Sequence, residues 1–346
     1  MTEGIRGLDL PALGLWLAEQ MEGMEAPLRF ELIAAGGSNL TYRVEDAAGQ
    51  CLALRRPPLN SRVRTAHDMS REWRILDALH AHPEAGVPVP APRAYCADPE
   101  VLGADFYLMD FAEGLILRGP KEAEGLDREQ CRVATESLLD IQVAMHQLDP
   151  DAVGLGDLGR REGYVERQLS RWRKQFEAIK TRELPLLESL HAKLGAVVPR
   201  QQGVGLVHGD YRFDNTVLGA DHRVSAVLDW ELCTLGDPVA DFVWSTMYWS
   251  DPGDVGDFGS PSPTRQPNFP RRAEVVELYA RRSGFDLSGF DYYVAFSWWK
   301  MACLVEGVVA RLRAGAGGGM ATSSPEQVMA RVDFMLERAN EVAERV

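Results

Sequence analysis

One stretch constrains the chain more than any other, because it places an aspartate and an asparagine on one short loop. The apolar pair Leu206–Val207 leads into a polar segment that contains Asp210, and Asn215 follows five residues later. A second apolar run ends in Asp229, fourteen residues after Asn215. Carboxylate and amide oxygens are the ligands that Mg²⁺ prefers. The spacing therefore predicts a site for a hydroxyl group and a magnesium–phosphate complex.

The composition of the whole chain excludes several classes of protein. Its 346 residues are enough for two lobes, and its net charge of −14 argues against nucleic-acid binding, which needs a positive surface. The five cysteines form no CxxC pair, which favours reduced thiols and a cytoplasmic location. Neither a secretory signal nor an apolar run of about 18 residues is found, so no membrane association is expected.

The first part of the chain has the alternating pattern and short turns that are typical of strands. Strands are expected at 28–35, 40–46, 51–56, 93–96 and 105–111, and their short connections favour an antiparallel sheet. One helix is expected at 8–24 and another at 64–82. Thr65 and Asp68 fit a capping box at the start of the second helix.

After Gly114 the pattern changes to helical periodicity. Helices are expected at 128–146, 164–181, 184–194, 238–247, 271–283, 291–313 and 325–346. The segment 250–270 is rich in Pro, Gly, Ser and Asp and predicts a long surface loop. The expected fold class is α+β, with a small antiparallel-sheet N-lobe at 1–110 and a larger, mainly helical C-lobe at 111–346.

Four motifs follow one another in a recognisable order, namely Gly36–Tyr42, Leu54–Pro58, His208–Asn215 and Leu228–Pro238. With these motifs the chain resembles the protein-kinase-like fold, and it looks most like the aminoglycoside phosphotransferase (APH) family. Within that family it is similar to the branch found fused to, or beside, acyl-CoA dehydrogenases. The resemblance implies a two-lobe kinase fold, ATP and Mg²⁺ as cofactors, and an association with the acyl-CoA dehydrogenase pathway.

The resemblance assigns roles to the residues of the opening pattern. Asp210 would accept or orient the proton of a substrate hydroxyl, whereas the alternative is an aspartate that only forms a turn. Asn215 and Asp229 would hold Mg²⁺ and leave positions for phosphate oxygens. Glu231 stands where protein kinases have glycine. It is expected either to touch metal-bound water or substrate, or to be a plain surface carboxylate.

Two residues are expected to support the loop around Asp210. His208 is interpreted as packing within the loop and fixing it through a backbone hydrogen bond, rather than as a metal ligand. The resemblance implies that Asp241 holds the backbone of this loop from the helix that follows. Asp237 is the expected N-cap of that helix, with Pro238 at its first position.

Arg55 and Glu72 are expected to form a pair. Protein kinases have a lysine at the place of Arg55, paired with a glutamate on a helix, and the separation of Arg55 and Glu72 matches. The resemblance implies that Arg55 holds nucleotide phosphates and that Glu72 fixes its direction. Arginine is planar and permanently charged, so its geometry differs from that of lysine. A surface arginine at a strand end is the alternative.

The remaining nucleotide contacts are expected in two segments. Ser38 and Asn39, in the turn at 36–39, would reach phosphate oxygens through backbone N–H groups or the Ser38 hydroxyl. Met109 would lie beside an adenine pocket, with Asp110 and Phe111 as the hinge backbone. The alternatives are a hairpin turn without a ligand and a strand that only crosses between lobes.

The sequence therefore predicts an ATP- and Mg-dependent kinase that transfers the γ-phosphate to a hydroxyl of a small molecule. The expected acceptor is a hydroxyacyl-CoA or a similar metabolite, and an aminoglycoside antibiotic is the alternative. A non-catalytic pseudokinase and a metal-dependent hydrolase are two further classes. The presence of Asp210, Asn215 and Asp229 argues against a pseudokinase, and the absence of clustered histidines argues against a metal-dependent hydrolase. The oligomeric state and the choice between ATP and GTP stay open.

A group of aromatic residues in the helical half is expected to be mostly core, with some members lining the acceptor site. These residues, with a neighbouring lysine, are Trp244, Tyr248, Trp249, Trp298, Trp299 and Lys300.

Overall fold

The chain folds into two compact units. The computed structural model describes residues 5–35, 39–59, 68–254, 261–315 and 324–346. The first unit comprises Met1–Leu117, Val153–Leu155 and Phe213–Leu232, and the second comprises Arg118–Ala152, Gly156–Arg212 and Cys233–Val346. The predicted lobe limits at 1–110 and 111–346 differ from this division chiefly because residues 213–232 pack within the first unit.

The helices and strands of the described residues follow one another along the chain. The α-helices are α1 (Leu10–Gln20), α2 (Met69–Ala81), α3 (Pro99–Leu102), α4 (Pro120–Ala123), α5 (Arg128–Gln147), α6 (Tyr164–Ile179), α7 (Pro185–Ala196), α8 (Pro238–Thr246), α9 (Arg272–Ser283), α10 (Phe290–Arg313) and α11 (Pro325–Ala343). The strands are β1 (Arg29–Ala35), β2 (Leu40–Glu45), β3 (Cys51–Arg56), β4 (Pro92–Cys96), β5 (Phe106–Asp110), β6 (Gly205–Val207), β7 (Thr216–Leu218), β8 (Val224–Val227) and β9 (Thr234–Gly236).

The first unit is built on a five-stranded sheet with the strand order β1-β2-β3-β5-β4, in which all neighbours are antiparallel. The five predicted strands are therefore confirmed. Alternation along β2 buries Leu40, Tyr42 and Val44, and these side chains share a core with Leu13 and Leu17 of α1. Each such burial contributes about 1.5–3 kcal/mol, which holds α1 against the sheet.

Helix α2 begins later than predicted. Asp68 is its N-cap, and the Asp68 carboxylate accepts from the backbone N–H of Arg71 at 3.1 Å. Thr65, the other half of the predicted capping box, lies outside the described residues. The buried face of α2 carries Glu72 among its apolar residues, and Glu72 is only 1% exposed. A carboxylate in that position needs partners, because burying an unpaired charge is costly.

In the second unit, a short strand lies close to helix α5. Strand β6 pairs with β9 and places Gly205 opposite Gly236. A Cβ atom on Gly205 would lie 2.5 Å from the backbone oxygen of His146, and one on Gly236 would lie 2.3 Å from the ring of Tyr164. Both glycines thus allow a close approach that any larger residue would prevent. Strand β6 leads directly into the loop that carries Asp210.

The predicted surface loop at 250–270 is only partly a surface loop. Residues 255–260 lie outside the described residues. Ser262 and Thr264 are buried, and the Thr264 hydroxyl accepts from the Ser250 N–H at 2.9 Å and donates to the Ser250 carbonyl at 3.0 Å. The polar residues of this segment therefore satisfy one another inside the fold, as buried polar groups must.

None of the helices in the described part of the chain is long and apolar enough to cross a membrane.

The close approach at Gly205 makes a testable prediction. Gly205→Ala forces the methyl group against the α5 backbone, and such overpacking costs about 1–3 kcal/mol, so the melting temperature should fall. Gly195→Ala is the control, because Gly195 lies in α7 with no atom within 4 Å of its Cβ position. Equal melting temperatures for the two variants would contradict the packing described here.

Candidate functional site

Three segments of the first unit bring one arginine together with several acidic side chains. We call Asn39, Arg55, Glu72, Asp229 and Glu231 the arginine cluster. Arg55 comes from β3 and is 7% exposed, and Glu72 comes from the buried face of α2. Asp229 and Glu231 follow the hairpin of β7 and β8. The cluster thus joins residues from distant parts of the sequence within a single unit.

The Arg55 guanidinium binds two carboxylates at once. Its Nε lies 3.0 Å from Glu72 Oε2, and its Nη2 donates to Asp229 Oδ1. Glu231 Oε2 lies 3.9 Å from the same Nη2. Arg55 and Glu72 therefore form the pair that the sequence predicts, and Arg55 is not a surface arginine. A lysine has a single charged nitrogen and could not reach two carboxylates through separate atoms of a planar group.

Asn39 links the acidic residues of the cluster. Its Nδ2 donates to Glu72 Oε1 and to Glu231 Oε2, both at 3.0 Å. The Tyr107 hydroxyl donates to Glu72 Oε2, also at 3.0 Å. Both oxygens of Glu72 are therefore held, so its carboxylate can fix the direction of Arg55. Ser38, the other residue predicted in this turn, lies outside the described residues.

The charges of the cluster do not cancel, since three carboxylates face one guanidinium. Burial alone would lower the pKa of Arg55, but Tyr107, Glu72 and Asp229 raise it by more, so Arg55 stays charged. Burial raises the pKa of Glu72 from its ordinary value, against the opposing effect of Arg55. With all groups ionised the cluster is negative, which favours binding of a cation.

Asn215 and Asp229 fit a magnesium ion by their chemistry. The backbone N–H of Leu228 donates to the Asn215 carbonyl at 2.8 Å, which ties the two segments together. Asp229 has a left-handed backbone with φ of 65°. Asn39 Oδ1 is a buried oxygen with no hydrogen-bond partner within the described residues. No group of three or more His, Cys, Asp or Glu side chains in the described ranges could hold a metal. Mg²⁺ is commonly bound by one or two protein side chains, with phosphate and water oxygens completing its octahedron, so Asn215 and Asp229 suit it.

The strand β5 carries the residues predicted to hold adenine. Met109 is buried opposite Ala53 of β3. The backbone N–H of Asp110 donates to the Ala91 carbonyl at 2.9 Å, and that of Phe111 donates to the Cys51 carbonyl at 3.3 Å. These two N–H groups are therefore already used within the fold.

The loop with Asp210 belongs to the second unit. The Asp210 side chain is 23% exposed, and its Oδ1 lies 3.3 Å from Arg212 Nε. The backbone N–H of Asp210 donates to His208 Nδ1 at 3.3 Å. The Arg212 guanidinium also lies over the ring of Tyr248, 4.7 Å from its centre. Arg212 was not predicted from the sequence, although its place two residues after Asp210 could have drawn attention to it.

Asp241 holds the backbone of this loop from helix α8. Its carboxylate accepts from the His208 N–H at 3.1 Å and from the Gly209 N–H at 2.9 Å. His146 Nε2 lies 3.2 Å from the same carboxylate, and Tyr279 holds the other ring nitrogen of His146 at 2.6 Å. The supporting role predicted for Asp241 is confirmed, and His208 packs within the loop as predicted.

The ionisation of Asp241 follows from these contacts. Burial raises the pKa of this carboxyl group, but the hydrogen bond and charge of His146, the charge of His208 and the Gly209 N–H outweigh it. The pKa of Asp241 is therefore lowered below 3.8. Asp241 thus remains a carboxylate and can keep both loop N–H groups.

Comparisons with known proteins agree with this architecture. The model of the family described as "Phosphotransferase enzyme family" (APH) matches residues 29–292. Acyl-CoA dehydrogenase family member 10 of Mus musculus is 34% identical over 81% of this chain. The chain spans 26% of the length of that relative, and about two-fifths of the family member 11 proteins that it also matches.

Solved structures show the same fold. A Ralstonia eutropha JMP134 protein, named as a candidate aminoglycoside phosphotransferase, is 31% identical with a TM-score of 0.81, covering 97% of this chain and 98% of its own. The streptomycin–ATP complex of APH(2'')-IIa is 12% identical with a TM-score of 0.59, covering 94% of this chain and 99% of its own. The predicted α+β, protein-kinase-like fold class is confirmed.

The contacts of Asp241 predict how stability depends on pH. Because its folded pKa is lowered, ionised Asp241 stabilises the fold above an unfolded pKa of about 3.9, and this stability is lost as pH falls through the folded pKa. Asp241→Asn should cost about 2–3 kcal/mol at pH 7, or roughly 3–6 °C in melting temperature. Thermal melts should show that the difference in melting temperature between this variant and the wild type becomes smaller below pH 4.

Asp291→Asn serves as the control for this experiment. The Asp291 side chain is 42% exposed, and its pKa is lowered by an ion pair with Arg345. Such an exposed pair is worth about 0–1 kcal/mol, so its loss should change the melting temperature little. A loss for Asp241→Asn no larger than that of Asp291→Asn would contradict the role of Asp241.

Proposed function

Because the chain belongs to the phosphotransferase enzyme family, we propose that it transfers the γ-phosphate of ATP to a hydroxyl group of a small molecule, with Mg²⁺ as cofactor. The observation that carries this proposal is the contact between Arg55 and Asp229. A buried, permanently charged guanidinium there meets a carboxylate suited to a metal ion. Phosphate oxygens bound to Mg²⁺ are the ligand that matches both groups.

In this proposal the arginine cluster binds the nucleotide. Asn215 and Asp229 would hold Mg²⁺, which would supply positive charge beside the phosphate oxygens. Arg55 binds phosphate oxygens, and Glu72 and Asn39 keep its guanidinium in place. Arg55 Nη2 carries two N–H groups, so it can contact a phosphate oxygen while it also donates to Asp229. The Asn39 side chain contacts Glu72 and Glu231, and its backbone N–H is the proposed contact to phosphate.

The loop of the second unit performs the proton step. The acceptor oxygen forms a bond to the γ-phosphorus while the bond between that phosphorus and the β-phosphate oxygen breaks, and ADP leaves with the electron pair. The proton of the acceptor hydroxyl passes to the Asp210 carboxylate. Arg212, 3.3 Å from Asp210, supplies positive charge to the transferred group. Asp241 keeps the loop in position through its two N–H bonds.

The proposed adenine contacts lie in the segment predicted from the sequence, with one further N–H donor. The N–H groups of Asp110 and Phe111 are used within the sheet. The next N–H, that of Ala112, has no partner within the described residues and is the proposed donor to the base, with the side chain of Met109 beside the ring. ATP is the proposed nucleotide on the strength of the family. The cytoplasm, where ATP and reduced thiols occur together, is the proposed compartment.

We propose a hydroxyacyl-CoA-type metabolite as the acceptor. The chain matches one part of longer relatives that are named as acyl-CoA dehydrogenase family members, which supports a role in the same pathway. An aminoglycoside is the second candidate, because a protein 31% identical is named for that activity. A net charge of −14 is compatible with a polycationic acceptor.

A panel of acceptors tests the proposed reaction. Hydroxyacyl-CoAs, hydroxy acids, diols and aminoglycosides are incubated with Mg·ATP, and phosphorylated products are detected by ³¹P NMR and mass spectrometry. We expect product with a hydroxyacyl-CoA, and Asp210→Asn should lower turnover by about 10²–10⁴-fold because the proton acceptor is lost.

Asp214→Asn is the matched control, since it removes a neighbouring carboxylate outside the proposed reaction and should keep most activity. The proposal fails if no hydroxylated compound is phosphorylated, or if Asp210→Asn turns over like Asp214→Asn. Product with aminoglycosides alone would replace the proposed acceptor with the second candidate.

A second prediction concerns the arginine cluster. Arg55→Lys keeps the charge but cannot contact Glu72 and Asp229 through a planar group, so ATP affinity should fall about 10-fold or more. Arg55→Met should lose more, because it also leaves Glu72 buried without its cation. Isothermal titration with Mg·ATP measures both. Arg43→Lys, on the neighbouring strand β2, is the control. Equal ATP affinities for all variants would show that Arg55 does not bind the nucleotide.

A further inference from the structure

Helix α10 carries a lysine in an unusual environment. Lys300 is only 8% exposed, and its Nζ lies 3.6 Å from the ring centre of Trp244 and 5.9 Å from that of Trp172. Trp244 belongs to α8 and Trp172 to α6, so three helices of the second unit enclose the side chain. Lysine is rarely buried unless it is paired with an acidic group.

Lys300 has no such pair. Throughout the described ranges its Nζ makes neither a hydrogen bond nor an ion pair, and it lies against two aromatic rings. Contact with aromatic rings offsets only part of the free-energy cost of burying a charge. Accordingly, burial lowers the pKa of Lys300 to about 8. Lys300 is therefore a buried cation without an ion-pair partner among the described residues.

The electrostatic interactions of Lys300 connect it with the loop that carries Asp210. The carboxylates of Asp241 and Asp210 raise its pKa, and Arg171 lowers it, so all three act on Lys300 through space. Asp241 is committed to the His208 and Gly209 N–H groups, and Asp210 lies beside Arg212. Lys300 is therefore within electrostatic range of the proposed proton acceptor without being its partner.

We propose that Lys300 binds the acyl oxygen of the acceptor, as a carboxylate or a thioester carbonyl, and so places the acceptor hydroxyl at Asp210. The proposal rests on the proposed function. An oxygen with negative or partial negative charge is the partner that an enclosed ammonium group lacks. The faces of Trp244 and Trp172 suit an apolar acyl chain, whereas the amino groups of an aminoglycoside would be repelled by Lys300.

The test compares acceptors that share one hydroxylated chain and differ at its acyl end. A hydroxyacyl-CoA, the free hydroxy acid and the corresponding diol are assayed with the wild type, Lys300→Met and Lys300→Arg. For Lys300→Met, the ratio of kcat/KM for the acyl acceptors to that for the diol should fall about 10–100-fold, as for loss of one charged hydrogen bond. Lys300→Arg should recover part of it. Whether the thioester or the acid loses more identifies the oxygen that Lys300 holds.

A binding measurement tests the role of Lys300 independently of the proposed phosphate transfer. The affinity of the wild type and of Lys300→Met for an acyl-CoA that lacks the hydroxyl group is measured by isothermal titration without nucleotide. A fall of 10-fold or more supports the role of Lys300 even if no acceptor is phosphorylated. Lys174→Met, an exposed lysine on α6, is the control and should bind like the wild type. Equal losses for acyl acceptors and diol, with unchanged acyl-CoA affinity, would overturn the proposal.

Discussion

The structure of the first unit depends on one buried guanidinium. Arg55 is buried, and its ion pairs with Glu72 and Asp229 offset the free-energy cost of burying its charge. These partners come from a helix and from a hairpin more than 150 residues later, so the single charge ties together the sheet, α2 and residues 213–232. The surplus of negative charge around it makes the cluster receptive to a divalent cation and its phosphate ligand.

The second unit uses the opposite arrangement, a buried carboxylate that fixes a loop. Asp241 is held ionised by His146 and in turn holds two consecutive backbone N–H groups ahead of Asp210. Such contacts give a loop the rigidity that a reacting side chain needs. Lys300, in the same unit, is also buried and charged, but its proposed partner is a ligand rather than another residue of the chain.

Local patterns were enough to predict much of this protein. Alternation and short turns predicted the five strands, and the order of four motifs predicted the phosphotransferase family and the pairing of Arg55 with Glu72. The hydrogen bond from Asn39 to Glu231 joins residues 192 positions apart, and no local sequence pattern predicts it. The burial of Lys300 likewise depends on how three helices pack, which their separate periodicities do not specify. The start of α2 was predicted too early, because Asp68, interpreted from the sequence as the acid of a capping box, is itself the N-cap of the helix.

Asp229 is proposed to join Mg²⁺ to nucleotide binding, and calorimetry tests this role most directly. The affinity for ATP is measured with and without Mg²⁺ for the wild type and for Asp229→Asn, whose amide is nearly the same size. We expect Mg²⁺ to strengthen ATP binding by the wild type and Asp229→Asn to lose most of this gain. A variant that keeps the full effect of Mg²⁺ would contradict the proposed role of Asp229.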